Sequence, residues 1–157
     1  MLLNNVYSVI RCAKLQIDRA SLRKLEKENM KIKGAYHHIH LLSENPQVAT
    51  QWYVQNLDGE IEGQFDVRGS IHIRIRIGEA QLIIRGLGPG ETAVKHGDAK
   101  LVGIDHFALV PNDIEALECQ LKENGVKIVK PIFTTTTGGR AFFIEGPDGV
   151  LIEIVEN

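Results

Sequence analysis

Two histidines and one glutamate occur where strand alternation predicts that they share a face. His38 and His106 each begin a short apolar strand, and Glu153 lies between Ile152 and Ile154 near the C-terminus. Successive side chains in a strand point to opposite faces, so these three residues should lie opposite the apolar core. Imidazole nitrogens and a carboxylate oxygen bind divalent first-row metals, and three ligands leave positions open for water or a bidentate substrate. These residues are therefore the candidate metal ligands.

The elements that must position these residues occur twice along the chain. Each copy begins with a histidine-headed strand, and a helix N-cap follows that histidine by seven residues, Asn45 after His38 and Asp113 after His106. Each helix is followed by strands with two-residue periodicity, such as the alternating isoleucines of residues 71–77. A helix covers only one face of a small sheet, so pairing two such units leaves a concave trough between the uncovered faces. We call the sheet face opposite the helix the trough face.

Length and composition exclude several classes of protein. The chain has 157 residues, of which 43% are hydrophobic and 24% are charged, values typical of one globular domain. A formal net charge of −2 offers no overall attraction to nucleic acid or to an anionic membrane. We see no secretion signal or long apolar run, and the two cysteines have no metal-binding or disulfide-framework spacing. We therefore expect a cytoplasmic protein without nucleic-acid or membrane partners.

The first 33 residues differ in character from the rest. Residues 21–29 are charged on most of their surface and predict a short helix with Ser21 as its N-cap. This N-terminal arm is interpreted either as a frayed segment or as a helix packed on a partner subunit, and no chemistry is assigned to it. Residues 34–157 form the predicted single domain, with a first module at 34–88 and a second module at 101–157.

The repeated strand-helix-strand-strand-strand unit resembles the vicinal oxygen chelate superfamily. The resemblance covers residues 35–157 and includes the histidine at the head of each copy and the tail motif Pro147-Asp148-Gly149 followed by Glu153. The superfamily includes glyoxalases, methylmalonyl-CoA epimerases, fosfomycin-resistance enzymes, extradiol dioxygenases and bleomycin-resistance proteins. The resemblance implies an α+β fold, in which two βαβββ modules form a curved mixed sheet with a concave metal-binding trough, preceded here by the helical arm. It also implies pairing into a homodimer.

The resemblance implies that His38, His106 and Glu153 bind a divalent metal ion, with Mn, Fe, Ni and Zn as candidates. It also identifies a missing donor, because glyoxalases and epimerases use a Glu or Gln at the first-module position that aligns with Glu153. Ile83 occupies that position here, unless a bulge brings Gln81 close to it. Proton transfer beside a carbonyl needs a base on the correct face, so this departure argues against both activities. The three-ligand set instead resembles that of fosfomycin-resistance enzymes and extradiol dioxygenases.

A basic patch is predicted beside the metal ligands. If the isoleucines of residues 71–77 face the core, the polar residues between them face the trough, and Arg140 joins them if Ala141 and Phe143 point to the helix. The predicted substrate-binding residues are His72, Arg74, Arg76, Arg85 and Arg140. Guanidinium groups bind carboxylates, phosphates and phosphonates, so the expected partner is a small anionic metabolite. The alternative is that these arginines pair with glutamates at the exposed rim of the sheet.

The sequence predicts an enzyme and leaves its reaction open. His40 lies two residues beyond His38 on the same face, where it could orient a ligand or transfer a proton, and His40 and Glu153 are the predicted catalytic residues. A divalent ion would act as a Lewis acid in lyase, isomerase, thiol-transfer or dioxygenase chemistry. The alternatives are a non-catalytic small-molecule-binding protein that resembles bleomycin-resistance proteins, an epimerase-like isomerase, and a pseudoenzyme that keeps the metal for stability.

Overall fold

The computed structural model describes residues 18–21, 23–24, 34, 36–94 and 102–156. The chain divides into two units, Met1–Tyr36 and His37–Asn157. In the first unit, residues 19–21 and 23–24 are helical, and the Asp18 carboxylate accepts backbone hydrogen bonds from Ala20 and Ser21 at 2.7 and 3.0 Å. The prediction of Ser21 as the N-cap is therefore wrong, because Asp18 caps the exposed N–H groups first. Residues 25–29 of the predicted helix lie outside the described residues.

The second unit contains two modules with the same order of elements, which confirms the predicted βαβββ repeat. The first module consists of β1 (Ile39–Leu42), α1 (Pro46–Leu57), β2 (Glu60–Val67), β3 (Ser70–Ile77) and β4 (Ala80–Arg85). The second consists of β5 (Phe107–Leu109), α2 (Ile114–Glu123), β6 (Ile128–Thr134), β7 (Arg140–Glu145), a 3-10 turn (Pro147–Gly149) and β8 (Leu151–Val155).

Both helices of the second unit begin at the caps predicted from the sequence. The Asn45 side chain accepts a hydrogen bond from the Val48 N–H at 3.1 Å, and Asp113 accepts one from the Ala116 N–H at 2.9 Å. Gly125 follows α2 with a positive φ of 74°, a conformation that glycine adopts without steric cost. Within the described ranges, no helix has the length and apolar character of a membrane span.

Each module forms a four-stranded mixed sheet. The strand orders are β1-β4-β3-β2 and β5-β8-β7-β6, and the pairs β1–β4 and β5–β8 are parallel. In the first sheet His40 is opposite Ile83, and in the second sheet Ala108 is opposite Glu153. His40 and Ala108 each follow the leading histidine of their module by two residues. Ile83 and Glu153 therefore occupy equivalent positions in the two modules, as the internal alignment of the sequence predicts.

One hydrophobic cluster joins the helix-side faces of both sheets. It contains Tyr53 and Leu57 from α1, Ile114 and Leu121 from α2, and the alternating buried residues Ile73, Ile75, Leu82, Ile84, Phe142, Ile144, Ile152 and Ile154. Burying this apolar surface is the main favourable contribution to folding of such a unit. Because both sheets turn their apolar faces toward this shared core, their trough faces point away from it.

Helix α1 of the first module packs against the turn that leads into β8 of the second. Tyr53 is 1% exposed, and its hydroxyl has no hydrogen-bond partner among the described residues. A Cβ atom on Gly146 would lie 3.4 Å from this hydroxyl and 3.0 Å from Cδ1 of Ile152, so the absence of a side chain permits the close approach. Burial raises the pKa of Tyr53 above its ordinary value, and the negative charge of Asp148 adds to the increase.

We expect Tyr53→Phe to stabilise the fold by about 1 kcal/mol, because it removes a buried hydroxyl that makes no hydrogen bond. Urea unfolding at neutral pH measures the change. Tyr36→Phe is the matched control, since Tyr36 is 68% exposed and should change the free energy of unfolding very little. A clear loss of stability in Tyr53→Phe would mean that the hydroxyl has a partner in solution.

The same residue should make the protein sensitive to alkaline pH. Tyrosine in the unfolded chain ionises near pH 10, whereas folded Tyr53 keeps its proton to higher pH, so the unfolded state binds fewer protons above about pH 10. The stability of the wild type should therefore fall as the pH rises above that value, and the advantage of Tyr53→Phe should widen. Unfolding curves recorded across this range test the slope, and parallel curves for the two proteins would contradict the prediction.

Candidate functional site

The second module brings His106 and Glu153 together on its trough face. His106 directly precedes β5, and Glu153 lies in β8 between Ile152 and Ile154, which are 0% and 1% exposed. The buried isoleucines fix the direction of Glu153 through strand alternation. Nε2 of His106 lies 3.4 Å from Oε2 of Glu153, and the two side chains are 32% and 20% exposed. Two of the three predicted metal ligands are therefore adjacent and accessible from solvent.

Asp105 orients the imidazole of His106. Its Oδ2 lies 2.8 Å from Nδ1 of His106. An ionised carboxylate only accepts hydrogen bonds, so in the neutral ring Nδ1 carries the proton and Nε2 keeps its lone pair. The lone pair thus belongs to the nitrogen that faces Glu153. Asp105 was not among the site residues predicted from the sequence, although its position directly before the histidine is a signal that could have identified it.

The third predicted ligand, His38, lies among the histidines of the first module. Its ring centroid is 4.8 Å from that of His37 and 4.9 Å from that of His40, and the Nδ1 atoms of His37 and His38 are in hydrogen-bond contact. Within the part of the chain that the structure describes, no group of three or more metal-ligating side chains is assembled. A single chain thus brings His106 and Glu153 together without His38. The shared core explains this separation, because the two trough faces point away from it.

The strand register determines which side chains are neighbours on the trough face of the first sheet. Ile83 lies between His40 on one neighbouring strand and Arg74 on the other. The next row contains Phe65, His72 and Arg85. Ile83 is 5% exposed, so the centre of this face is apolar. The β1–β4 register shows no bulge, and the Gln81 amide donates a hydrogen bond to Glu62 at 3.1 Å, so Gln81 does not replace the missing donor.

His72 and His40 both lie on the trough face of this sheet, and burial affects them in different ways. His72 is 7% exposed, its Nδ1 donates a hydrogen bond to the Ser70 carbonyl at 3.0 Å, and its ring stacks on Phe65 with centroids 5.4 Å apart. Partial burial lowers the pKa of His40, and the positive charges of neighbouring histidines and of Arg85 act in the same direction. His40 is therefore neutral near pH 7.

The arginines of β3 differ in their partners. Arg76 forms ion pairs with Glu60 and Glu62, which is the rim arrangement that the sequence left open as an alternative. Arg74 has no carboxylate partner among the described residues, and its guanidinium carbon lies 5.7 Å from the centroid of the Phe65 ring. Arg74 is therefore the arginine of this strand that is available to an anionic ligand.

Arg140 lies on the helix side of its sheet. Ala141, Phe142 and Ile144 are all 0% exposed, but only Phe142 and Ile144 of β7 belong to the core cluster, the reverse of the alternation assumed from the sequence. Arg140 consequently forms ion pairs with Glu115 of α2 and with Glu156. The prediction that Arg140 faces the trough is wrong, because strand parity places Arg140 and Glu153 on different faces of the sheet.

Because the alternation of β7 is reversed, Phe143 lies on the trough face beside His106 and Glu153. This aromatic contact was not predicted from the sequence. The Phe143 ring meets His106 edge to face at 5.3 Å and stacks with Phe133 at 6.0 Å. Nζ of Lys130 lies 3.3 Å from the centroid of Phe133. Both members of the pair Phe142-Phe143 are apolar, so hydrophobicity alone could not decide which of them faces the core.

A cavity of about 540 Å³ opens between the end of β1 and the β7–β8 turn. Its lining includes His40, Leu41 and Leu42 from the first module and Asp148, Gly149 and Val150 from the second. A cavity of this volume accommodates a small molecule. His40 therefore lies on the trough face and also lines this open cavity.

Comparison with known proteins identifies the family. The sequence model of the Glyoxalase/Bleomycin resistance protein/Dioxygenase superfamily matches residues 35–154. A comparison with curated protein sequences gave no significant match.

Solved structures share the fold at low sequence identity. A glyoxalase family protein from Enterococcus faecalis is 24% identical, with 79% of this chain and 98% of that chain covered and a TM-score of 0.67. A glyoxylase/bleomycin resistance protein/dioxygenase domain from Frankia sp. EAN1pec is 18% identical, with 81% and 93% covered and a TM-score of 0.68. The V278E variant of glyoxalase I from Zea mays is 18% identical, with 74% and 42% covered and a TM-score of 0.63. The family match spans most of the chain and agrees with the duplicated fold, so the chain belongs to the Glyoxalase/Bleomycin resistance protein/Dioxygenase superfamily.

Proposed function

We propose that the protein is a divalent-metal-dependent enzyme of glyoxalase or dioxygenase type that acts on a small, oxygen-rich anionic metabolite. The observation that carries this proposal is the arrangement of Asp105, His106 and Glu153. Asp105 contacts Nδ1 of His106 at 2.8 Å, and Nε2 of the same ring faces Glu153 at 3.4 Å. An imidazole held by one carboxylate and facing another supplies the nitrogen and oxygen donors that first-row metal ions bind.

The spacing of the two donor atoms fits a shared cation. A charge-assisted hydrogen bond between imidazole and carboxylate is shorter, about 2.7–2.9 Å. Two donor atoms that each lie about 2.1 Å from one ion are about 3.0–3.4 Å apart at octahedral or tetrahedral angles. The observed 3.4 Å separation matches the second case. This agreement supports His106 and Glu153 as two of the metal ligands.

We propose that His38 reaches the site from a second copy of the chain, so that the metal is bound across a homodimer. The outward direction of both trough faces supports this arrangement. So does the exposure of apolar side chains that alternation places on these faces, since Leu42 is 40%, Phe65 37% and Val110 54% exposed. A two-fold dimer would cover them by placing the first sheet of one copy over the second sheet of the other, which creates two equal sites.

The side chains around this site have separate roles in the proposal. A bound Mn, Fe, Ni or Zn ion would supply Lewis acidity to two substrate oxygens. Arg74 and Arg85 bind the negative charge of the substrate, assisted by His72. His40 accepts or returns a proton, which its neutral ring permits near pH 7. Arg76 contributes little to binding because two glutamates already neutralise it.

Ile83 limits the reactions that this site can perform. It occupies the position equivalent to Glu153, where glyoxalases and epimerases carry a Glu or Gln as a fourth ligand, on which glyoxalase chemistry in particular relies for proton transfer. Lyase, thiol-transfer or dioxygenase chemistry with three protein ligands is therefore favoured, and an epimerase-like isomerase is the weaker candidate.

The second candidate function is small-molecule binding without turnover, which would make this protein similar to the bleomycin-resistance branch of the superfamily. The cavity of about 540 Å³ beside His40 and the apolar Ile83 at the centre of the first trough face favour it. Ligand binding to the metal-loaded protein that yields no product would support this candidate over the enzyme.

Substitution of any proposed ligand should abolish stoichiometric metal binding. We expect His38→Ala, His106→Ala and Glu153→Gln each to weaken binding by about a hundredfold or more, because each removes one of three donors. Metal analysis after purification without chelator, together with calorimetric titration of Mn and Ni, measures this. Arg140→Gln is the control, since it lies on the opposite face. Full metal content in Glu153→Gln would refute the ligand assignment.

Mixing two inactive variants tests whether the site spans two chains. A heterodimer of His38→Ala with Glu153→Gln would contain one doubly damaged site and one intact site. Equal amounts refolded together should therefore recover roughly a quarter of the wild-type sites, whereas each variant alone recovers none. A site within one chain would give no recovery, and failure of the wild type to form dimers at the same concentration would also exclude the shared site.

A further inference from the structure

The turn that follows β4 places a carboxylate on the guanidinium of Arg85. Nη1 of Arg85 donates to Oε2 of Glu91 at 2.7 Å, and Nη2 donates to Oε1 at 3.3 Å. This is the two-pronged geometry with which arginine binds any planar carboxylate. We call these two donors, Nη1 and Nη2 of Arg85, the fork. Glu91 therefore occupies the fork in the way that an external carboxylate ligand would occupy it.

The backbone of the turn holds Glu91 in this position. The Gly88 N–H donates to Oε2 of Glu91 at 2.9 Å, and the Glu91 N–H donates to the Gly88 carbonyl at 3.0 Å. Gly90 has a positive φ of 79°, which suits glycine at this bend. The turn also packs against the β2–β3 hairpin, where a Cβ on Gly69 would lie 2.9 Å from Pro89. Glu91 is thus presented to Arg85 by an ordered segment.

Arg85 lies on the trough face beside the proposed catalytic histidine. It is opposite His72 and follows Ile83 by two residues, a separation of about 6.6 Å along the strand. Ile83 is itself opposite His40, and the charge of Arg85 contributes to the lowered pKa of His40. An anionic group on Arg85 would therefore sit one row of side chains from His40.

Glu91 is the outer member of the pair and is easy to displace. Its side chain is 45% exposed, whereas that of Arg85 is 27% exposed. The Arg85 guanidinium and the Gly88 N–H hold the pKa of the Glu91 carboxyl below its ordinary range, so the group stays ionised. Water screens an exposed ion pair of this kind and makes it weak, so exchange for another carboxylate costs little.

We infer that Arg85 anchors the carboxylate of the substrate, and that Glu91 is an internal competitor that occupies the same guanidinium until the substrate displaces it. The inference rests on the proposed function, because it identifies the trough of the first module as the place where the anionic end of the substrate binds. It specifies a small carboxylic acid as the substrate class.

The test measures anion binding to metal-free protein. Malonate and inorganic phosphate are titrated in the presence of EDTA, and affinity is followed by amide chemical shifts and calorimetry. We expect Glu91→Gln to bind malonate about fivefold more tightly, which corresponds to a fork that is open about one-fifth of the time in the wild type. The glutamine can keep the hydrogen bond from Gly88, so the turn should remain folded.

Matched variants separate local competition from a change in net charge. Glu156→Gln removes the same charge from an exposed arginine pair on the opposite face and should leave malonate affinity within about twofold of the wild type. Arg85→Lys keeps the positive charge without the fork, and it should abolish the gain when combined with Glu91→Gln. An equal gain in Glu156→Gln, an unchanged affinity in Glu91→Gln, or a gain that survives Arg85→Lys would overturn the inference.

The two probes and the chelator distinguish the remaining outcomes. A gain with phosphate but none with malonate would overturn the assignment of a carboxylate substrate, and a larger gain with malonate supports it. If the wild type binds no metal but still binds malonate through Arg85, the proposed metal enzyme is wrong and this inference stands. If the wild type binds metal but malonate binding does not depend on Arg85, this inference is wrong and the metal enzyme stands.

Discussion

The shared hydrophobic core is the constraint on which the functional surface depends. Both sheets direct their alternating isoleucine and phenylalanine side chains into one cluster with the two helices. A side chain of opposite parity must then point away from the core. This arrangement exposes His40 and Arg74 on one sheet and Glu153 on the other. The packing of the modules thus determines both which residues are available for chemistry and why one chain presents them on separate surfaces.

The two modules have the same arrangement of backbone elements, but the side chains at their equivalent positions differ. The parallel pairs β1–β4 and β5–β8 have equivalent registers, yet they carry His40 opposite Ile83 in one case and Ala108 opposite Glu153 in the other. In the second module, the carboxylates of Asp105 and Glu153 and the ring of Phe143 surround His106. Cationic side chains surround an apolar centre in the first. The proposed dimer would bring these complementary surfaces together.

Local patterns of the sequence were sufficient to predict the repeat and the direction of Glu153. The caps at Asn45 and Asp113 depend on nearby N–H groups, and the isoleucines beside Glu153 leave no doubt about strand parity. Parity failed at Arg140, where the apolar run 141–144 has no alternation to read. The ion pair of Arg85 could not be predicted because it depends on the path of a turn. The separation of His38 from Glu153 depends on packing between modules, which no short pattern encodes.

The arginines proposed to bind the anion lie on the first repeat, and two of the proposed metal ligands, His106 and Glu153, lie on the second. Side chains on the open surface of the first sheet can be exchanged without repacking the interior, since Arg74 and Arg85 contribute nothing to the apolar cluster. Substitution of these two arginines can therefore change ligand preference, while His106, Glu153 and the interior stay intact. A fold organised in this way allows relatives to acquire new chemical targets by few steps, each compatible with a stable protein.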